Sequence, residues 1–302
     1  MREVVFLAGV IAEIEKEIAA YAPERGGLLV GPIGVPVVSS FVPDPEAAAT
    51  SVTYSPSGRV SALAHEIQQR PGMEVKGIIH SHPGMMNYPS GGDQRSFVNW
   101  LDRFHWLSHL ITPIVTVGVQ LPEESNQIRI VGGIISVHVA EARSGGTVKV
   151  TPAQPRVVDP HAVGATVVAA LGAKVPDRGT TMFAPMDGHL MAVSSSTDAR
   201  GNPVTVLVPY TFPFQPPVVL VQDPKNADAA VVALPLTWDL NLPEAARLDA
   251  AMIPFSRDGN RVSMAATDGV QLQGQQPISP KRRSRNSLSL LGSRQPGRRR
   301  RR

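Results

Sequence analysis

The sequence predicts an α/β protein made of two sheet-bearing domains and a charged tail. Three observations predict it. Apolar residues recur at helical spacing in some segments and in short runs bounded by Gly and Pro in others. Pro (28) and Gly (26) are abundant while charged residues make up only 18%, a mix that suits short strands and many turns. The 302 residues leave room for two domains at roughly 100–200 residues each.

In chain order, residues 4–21 place Phe6, Val10, Ile11, Ile14, Ile18 and Tyr21 on one face, which predicts an amphipathic helix ended by Pro23. Gly27–Gly31 reads as a short buried strand and Val35–Phe41 as a second one. Residues 58–70 carry Val60, Leu63, Ala64 and Ile67 on a helical face, stopped by Pro71-Gly72. Val75–His80 is a strand, Pro83–Gly92 a loop, and Asp93–Phe104 a helix whose Phe97, Trp100, Leu101 and Phe104 face inward. Ile114–Gln120 and Ile128–Val139 are strands around a polar turn, Glu123–Gln127. This first domain spans 1–142, and 143–155 is expected to be a linker after at most one more strand.

The second domain, α+β, spans 156–270. Asp159-Pro160 begins a helix, with Asp as the N-cap and Pro in the first turn, that runs to Leu171. Thr180–Phe183, His189–Ser195, Val204–Tyr210 and Val218–Gln222 read as strands, and Pro243–Ala251 as a short helix. From 271 to 302 the composition turns to Gln, Ser, Pro and Arg, which predicts a disordered Arg-rich tail.

Composition excludes several functions. Without cysteine there is no disulfide, no thiolate nucleophile and no sulfur ligand, so a metal must be held by His, Asp or Glu. Residues 281–302 carry ten of the 29 Lys and Arg and no acid; the other 19 face 25 acids, so the body is acidic and the basicity belongs to the tail. No aromatics interleave with Arg298–Arg302, which argues against a nucleic-acid role. No apolar run reaches membrane-spanning length and no leader cleavage site follows the first residues; a cytoplasmic location with no membrane partner is expected.

The chemistry concentrates in His80-Ser-His82-Pro-Gly-Met-Met-Asn-Tyr-Pro-Ser90-Gly-Gly-Asp93. Alternation along a strand points His80 and His82 to one face, and Asp93 at the next helix start supplies a third ligand. Two imidazoles and a carboxylate leave a coordination position open, as catalytic Zn2+ requires. Ser90 is placed to hold an oxyanion. Met85 and Met86, in the loop beside the site, are candidates for contact with an extended substrate. The other histidines (65, 105, 109, 138, 161 and 189) lack ligand spacing and read as structural or surface groups.

This spacing resembles the JAMM/MPN+ signature, and residues 1–142 resemble the prokaryotic JAB branch of that family. The resemblance implies an MPN/JAB-type α/β sandwich and a zinc metalloprotease. It also implies a catalytic glutamate just before the Gly-Leu-Leu strand, here Glu24 in Pro23-Glu24-Arg25-Gly26-Gly27; Glu66 and Glu74 are weaker alternatives. The activity implied is isopeptidase or peptidase cleavage after the C-terminus of a ubiquitin-like protein, with that protein, its conjugates and conjugation-pathway enzymes as partners. The alternatives are a zinc hydrolase of small peptides or sulfur-carrier adducts, and a non-catalytic MPN scaffold. In the second domain, Tyr210-Thr211-Phe212-Pro213-Phe214-Gln215-Pro216-Pro217 resembles a turn of the ubiquitin-conjugating (UBC-like) fold. The absence of cysteine excludes conjugating activity, so that resemblance implies an inactive, binding variant.

Overall fold

The computed structural model describes residues 2–19, 24–50, 53–84, 86–118, 124–173, 182–186, 189–197, 201–221, 232–234 and 236. The expected helix at 243–251 and the tail at 271–302 lie outside them.

The chain opens with strand β1 (Arg2–Leu7), then helix α1 (Ala8–Ile14) and a π-helical turn, Glu15–Ala19. The single helix expected over 4–21 is therefore split. Val4 to Leu7 are four consecutive apolar residues, all buried, and such a run serves a strand covered on both faces. Helical periodicity holds only from Val10 onward, where Val10, Ile14 and Ile18 are buried.

Strands β2 (Gly26–Pro32), β3 (Val37–Val38) and β4 (Ser40–Pro43) follow, then a hairpin of β5 (Ala48–Thr50) and β6 (Thr53–Ser55). Helix α2 (Gly58–Gln68) is capped by Ser57, and β7 (Met73–His82) leads through the loop to α3 (Gly91–Arg103). Next come β8 (His109–Ile111), β9 (Ile114–Val117), β10 (Gln127–Ile130), β11 (Gly133–Ser136), β12 (His138–Arg143) and β13 (Thr147–Val158). The run expected as one strand over 128–139 breaks at Gly132, whose φ of +86° makes a turn that exposes Val131.

These strands form one sheet ordered β10-β11-β9-β7-β8-β12-β13-β1-β3, with β2 pairing both β4 and β7. Strand β7 is its spine: antiparallel to β2, parallel to β8 and β9. Beyond an irregularity at Lys76, its side chains alternate between two apolar clusters. Ile79 joins α1 and β1, whereas Ile78 joins α2 and α3. His80 and His82 share the parity of Ile78 and so face α3.

The stretch expected as a linker, 143–155, is instead mostly strand. β13 pairs antiparallel with β12 and parallel with all of β1, from Arg2↔Ala153 to Leu7↔Val158. It runs into α4 (Pro160–Ala170), where the Asp159 carboxylate accepts from the His161 N–H at 2.9 Å as the sequence indicates. A second sheet follows, an antiparallel meander of β14 (Met182–Met186), β15 (His189–Thr197), β16 (Pro203–Pro209), β17 (Val218–Val221) and β18 (Val232–Leu234). Gly164 lets α4 lie close on it, since a Cβ there would sit 2.5 Å from Ser194 Oγ. Residues 1–260 make one compact unit, and one apolar core joins Val5, Phe6 and Ile14 to Val167, Val206 and Phe212. No helix among the described residues is long and apolar enough to cross a membrane.

Candidate metal centre

The last residues of β7 are flanked on both sides. His80 pairs with Gly26 of β2 and with Ile114 of β9, and His82 with Thr116. Both imidazoles are consequently buried, at 2% and 5% exposure. Asp93 arrives from α3, and its position follows from how that helix starts. Ser90 is the N-cap: its Oγ accepts from the Asp93 N–H at 3.2 Å, and Asp93 Oδ2 accepts from the Ser90 N–H at 2.7 Å. This reciprocal capping box holds the carboxylate over the strand end.

His80, His82 and Asp93 converge, with one ligand atom from each lying within 4.8 Å of the others. His80 Nε2 is 3.1 Å from Asp93 Oδ1, His82 Nε2 is 3.1 Å from Asp93 Oδ2, and the two Nε2 atoms are 3.0 Å apart. His82 Nδ1 lies 3.0 Å from the Met86 carbonyl. Nδ1 therefore carries a proton and donates, which fixes the ring with Nε2 turned toward Asp93. Two nitrogens aimed at each other and a carboxylate between them, all removed from water, fit a divalent cation.

The charges are mutually tuned. Burial pushes the Asp93 carboxyl up, but hydrogen bonds from His80, His82 and Ser90 outweigh it and hold the group well below the usual carboxylate range. Burial lowers His80. Burial also acts to lower His82, yet the Asp93 hydrogen bond and charge, the Met86 carbonyl and Glu24 together raise it.

Glu24 is buried just before β2. Burial raises its pKa, His82 opposes the rise and Asp93 adds to it, so the carboxyl senses both ligands. Its placement depends on Ser81, the residue between the two histidines. The Ser81 N–H donates to the Arg25 carbonyl at 2.8 Å, and Ser81 Oγ accepts from the Arg25 N–H at 2.9 Å. Glu74 instead accepts from buried Lys76 at the far end of β7, and Glu66 faces Arg70 on the surface of α2. Met85 lies outside the described residues. Met86 exposes its side chain, and it is its backbone carbonyl that meets His82.

His138, which lacks ligand spacing in the sequence, packs beside the site. It is buried, its charge would oppose that of His82, and the Tyr88 ring stands edge-on to it at 4.9 Å. Tyr88 also donates its hydroxyl to the Val150 carbonyl at 3.2 Å, tying the site loop to β13. No spacing rule could have found this, because β12 and β13 follow the motif by some 50 residues.

Residues 9–129 match the family model of prokaryotic homologs of the JAB domain. Over this segment, which is less than half of the chain, the protein is similar to prokaryotic JAB domains. Among solved structures, the chain is similar to a protein from Desulfitobacterium hafniense, at 17% identity and a TM-score of 0.36, covering 52% of this chain and 94% of that one. It is also similar to a JAB1/MPN domain protein from Archaeoglobus fulgidus, at 19% identity and a TM-score of 0.26, covering 52% and 98%. No curated protein matches the chain. The JAB match ends before the second sheet, so the UBC-like resemblance of residues 156–250 rests on its turn motif and its helix-then-meander order alone.

Proposed function

We propose that the protein is a zinc-dependent isopeptidase or peptidase of the deubiquitinase kind, cleaving after the C-terminus of a ubiquitin-like protein. The observation that carries this reading is the buried His80–His82–Asp93 cluster, with a buried carboxyl, Glu24, that senses it, in a segment that matches the JAB family model. Zinc on these three donors would supply an activated water and polarise the scissile carbonyl.

The chain's own residues do the rest. Glu24 takes the proton of the attacking water and returns it to the leaving amine, and its burial-raised pKa suits a group that must both accept and donate. Ser90 spends a lone pair of its Oγ on the Asp93 N–H, so its hydrogen remains available to a developing oxyanion. Met86, exposed at the rim, offers an apolar contact to an extended tail, and Met85 shares that role in the proposal. The second sheet, UBC-like without a catalytic cysteine, holds the substrate or a conjugation-pathway partner. The complete donor set and the buried Glu24 favour an enzyme over a scaffold.

The test is cleavage of a ubiquitin-like protein fused through its C-terminus to a reporter, by wild type and by Glu24→Ala, with zinc measured on both. Cleavage by wild type, and zinc without cleavage in the variant, supports the reading. Zinc on both with no cleavage by either rejects the substrate class, leaving small peptides or sulfur-carrier adducts. A wild type that holds no metal rejects the site.

A further inference from the structure

The two ligand histidines are oriented by different means. His82 donates through Nδ1 to the Met86 carbonyl, but the buried Nδ1 of His80 has no hydrogen-bond partner among the described residues. A metal-bound histidine ordinarily has its second nitrogen anchored, because an unanchored ring turns about its Cβ–Cγ bond. What His80 has instead is a face. The Tyr54 ring lies against it with centroids 5.4 Å apart and planes 10° apart.

Tyr54 is itself fixed. Its hydroxyl donates to Asp44 Oδ2 at 3.3 Å, and the same carboxylate accepts from the Ser57 N–H at 2.8 Å and the Ser57 hydroxyl at 2.7 Å. The Asp44 N–H donates to the Gly26 carbonyl at 2.9 Å, and Gly26 is the β2 neighbour of His80. The circuit His80–Tyr54–Asp44–Gly26 closes on itself. Gly26 leaves room for it: a Cβ there would stand 2.7 Å from the Tyr54 ring and 2.4 Å from the Ile79 carbonyl.

We infer that Tyr54, clamped by Asp44, is the positioning residue for His80, replacing with a stacked ring the hydrogen bond that His80 Nδ1 lacks. This rests on the metal-centre reading above. Tyr54 touches no reacting atom and acts only through its neighbour, so its effect belongs to the affinity for metal and the shape of the site.

The experiment measures zinc affinity by chelator competition, and the visible spectrum of the cobalt-loaded protein, for wild type and three variants of the full chain. Tyr54→Phe keeps the stacked ring but loses its bond to Asp44, and is expected to bind zinc about threefold more weakly. Tyr54→Leu keeps apolar bulk but loses the ring, and is expected to bind zinc about 10–100-fold more weakly with an altered cobalt spectrum. Ile67→Ala removes volume from the same apolar cluster without touching His80, and is expected to keep wild-type affinity. Wild-type affinity in Tyr54→Leu, an equal loss in Tyr54→Phe, or an equal loss in Ile67→Ala would each overturn the inference while leaving the metal centre standing. A wild type that binds no zinc overturns the metal centre and this inference together.

Discussion

At the residue scale, Glu24 and Asp93 divide two tasks. Asp93 is held ionised by three hydrogen-bond donors, the state a ligand needs. Glu24 is buried with its pKa raised, the state a proton shuttle needs. Glu24→Gln should cut turnover by roughly 10²–10⁴-fold with zinc content unchanged, read by reporter cleavage and metal analysis. Asp93→Asn keeps an oxygen for the Ser90 N–H but loses the anionic ligand. It should empty the site of zinc at chelator concentrations that wild type survives. His138 gives a pH signature. Burial lowers its pKa to about 4, so between about 4 and its ordinary value of 6.5 the unfolded chain binds the extra proton and the folded chain does not. Its contribution is complete above 6.5 and is lost as the pH falls, up to about 3 kcal/mol by pH 4. Urea titrations in chelator should show His138→Gln losing less stability than wild type on acidification. The ligands were legible in the sequence because a strand's two-residue period and the spacing from His80 to Asp93 are local, whereas the Ser90–Asp93 capping box emerged only in the structure. Ser81, Tyr54 and His138 were not, because their roles come from pairings across strands distant in the chain.

At the scale of elements, β7 shows how little slack the centre has. A Cβ on Gly77 would stand 1.8 Å from the Ile111 carbonyl, and both sides of that contact are backbone. Gly77→Ala should therefore part β7 from β8 and cost roughly 3 kcal/mol, measurable as a fall in the urea midpoint. It should also weaken zinc binding, because the histidines ride the same strand. Elements with a strong period or a clear cap were readable: α2, α3, α4 and the middle of β7 lie where the pattern puts them. Four apolar residues in a row carry no period, so the sequence pattern alone does not separate β1 from the helix that follows it. β8 and the β5–β6 hairpin are three residues per strand, too short for alternation to register.

For the whole molecule, the shared core decides what can be removed. Val163, Val167 and Val168 of α4 lie in one cluster with Val4, Val5 and Phe6 of β1. A fragment ending at residue 142 lacks β13 and bares both β12 and β1. It should expose apolar surface, bind a hydrophobic dye and fail to unfold cooperatively, whereas residues 1–260 should show one cooperative transition. Deleting the second sheet to ask whether it holds substrate would thus damage the first. Strands β14 to β17 of the second sheet were readable from turn chemistry, but β18 and the union of the two cores were not, since nothing in the apolar pattern says which face meets which.

The pairing of β1 with β13 also sets a timetable. Arg2 waits for Ala153. At about 5–20 residues per second, β1 spends roughly 8–30 s after its synthesis without its long neighbour. For that interval Val4, Val5, Phe6 and Leu7 travel as a bare apolar segment of the nascent chain, a natural stopping place for a chaperone that holds it until β13 has been made.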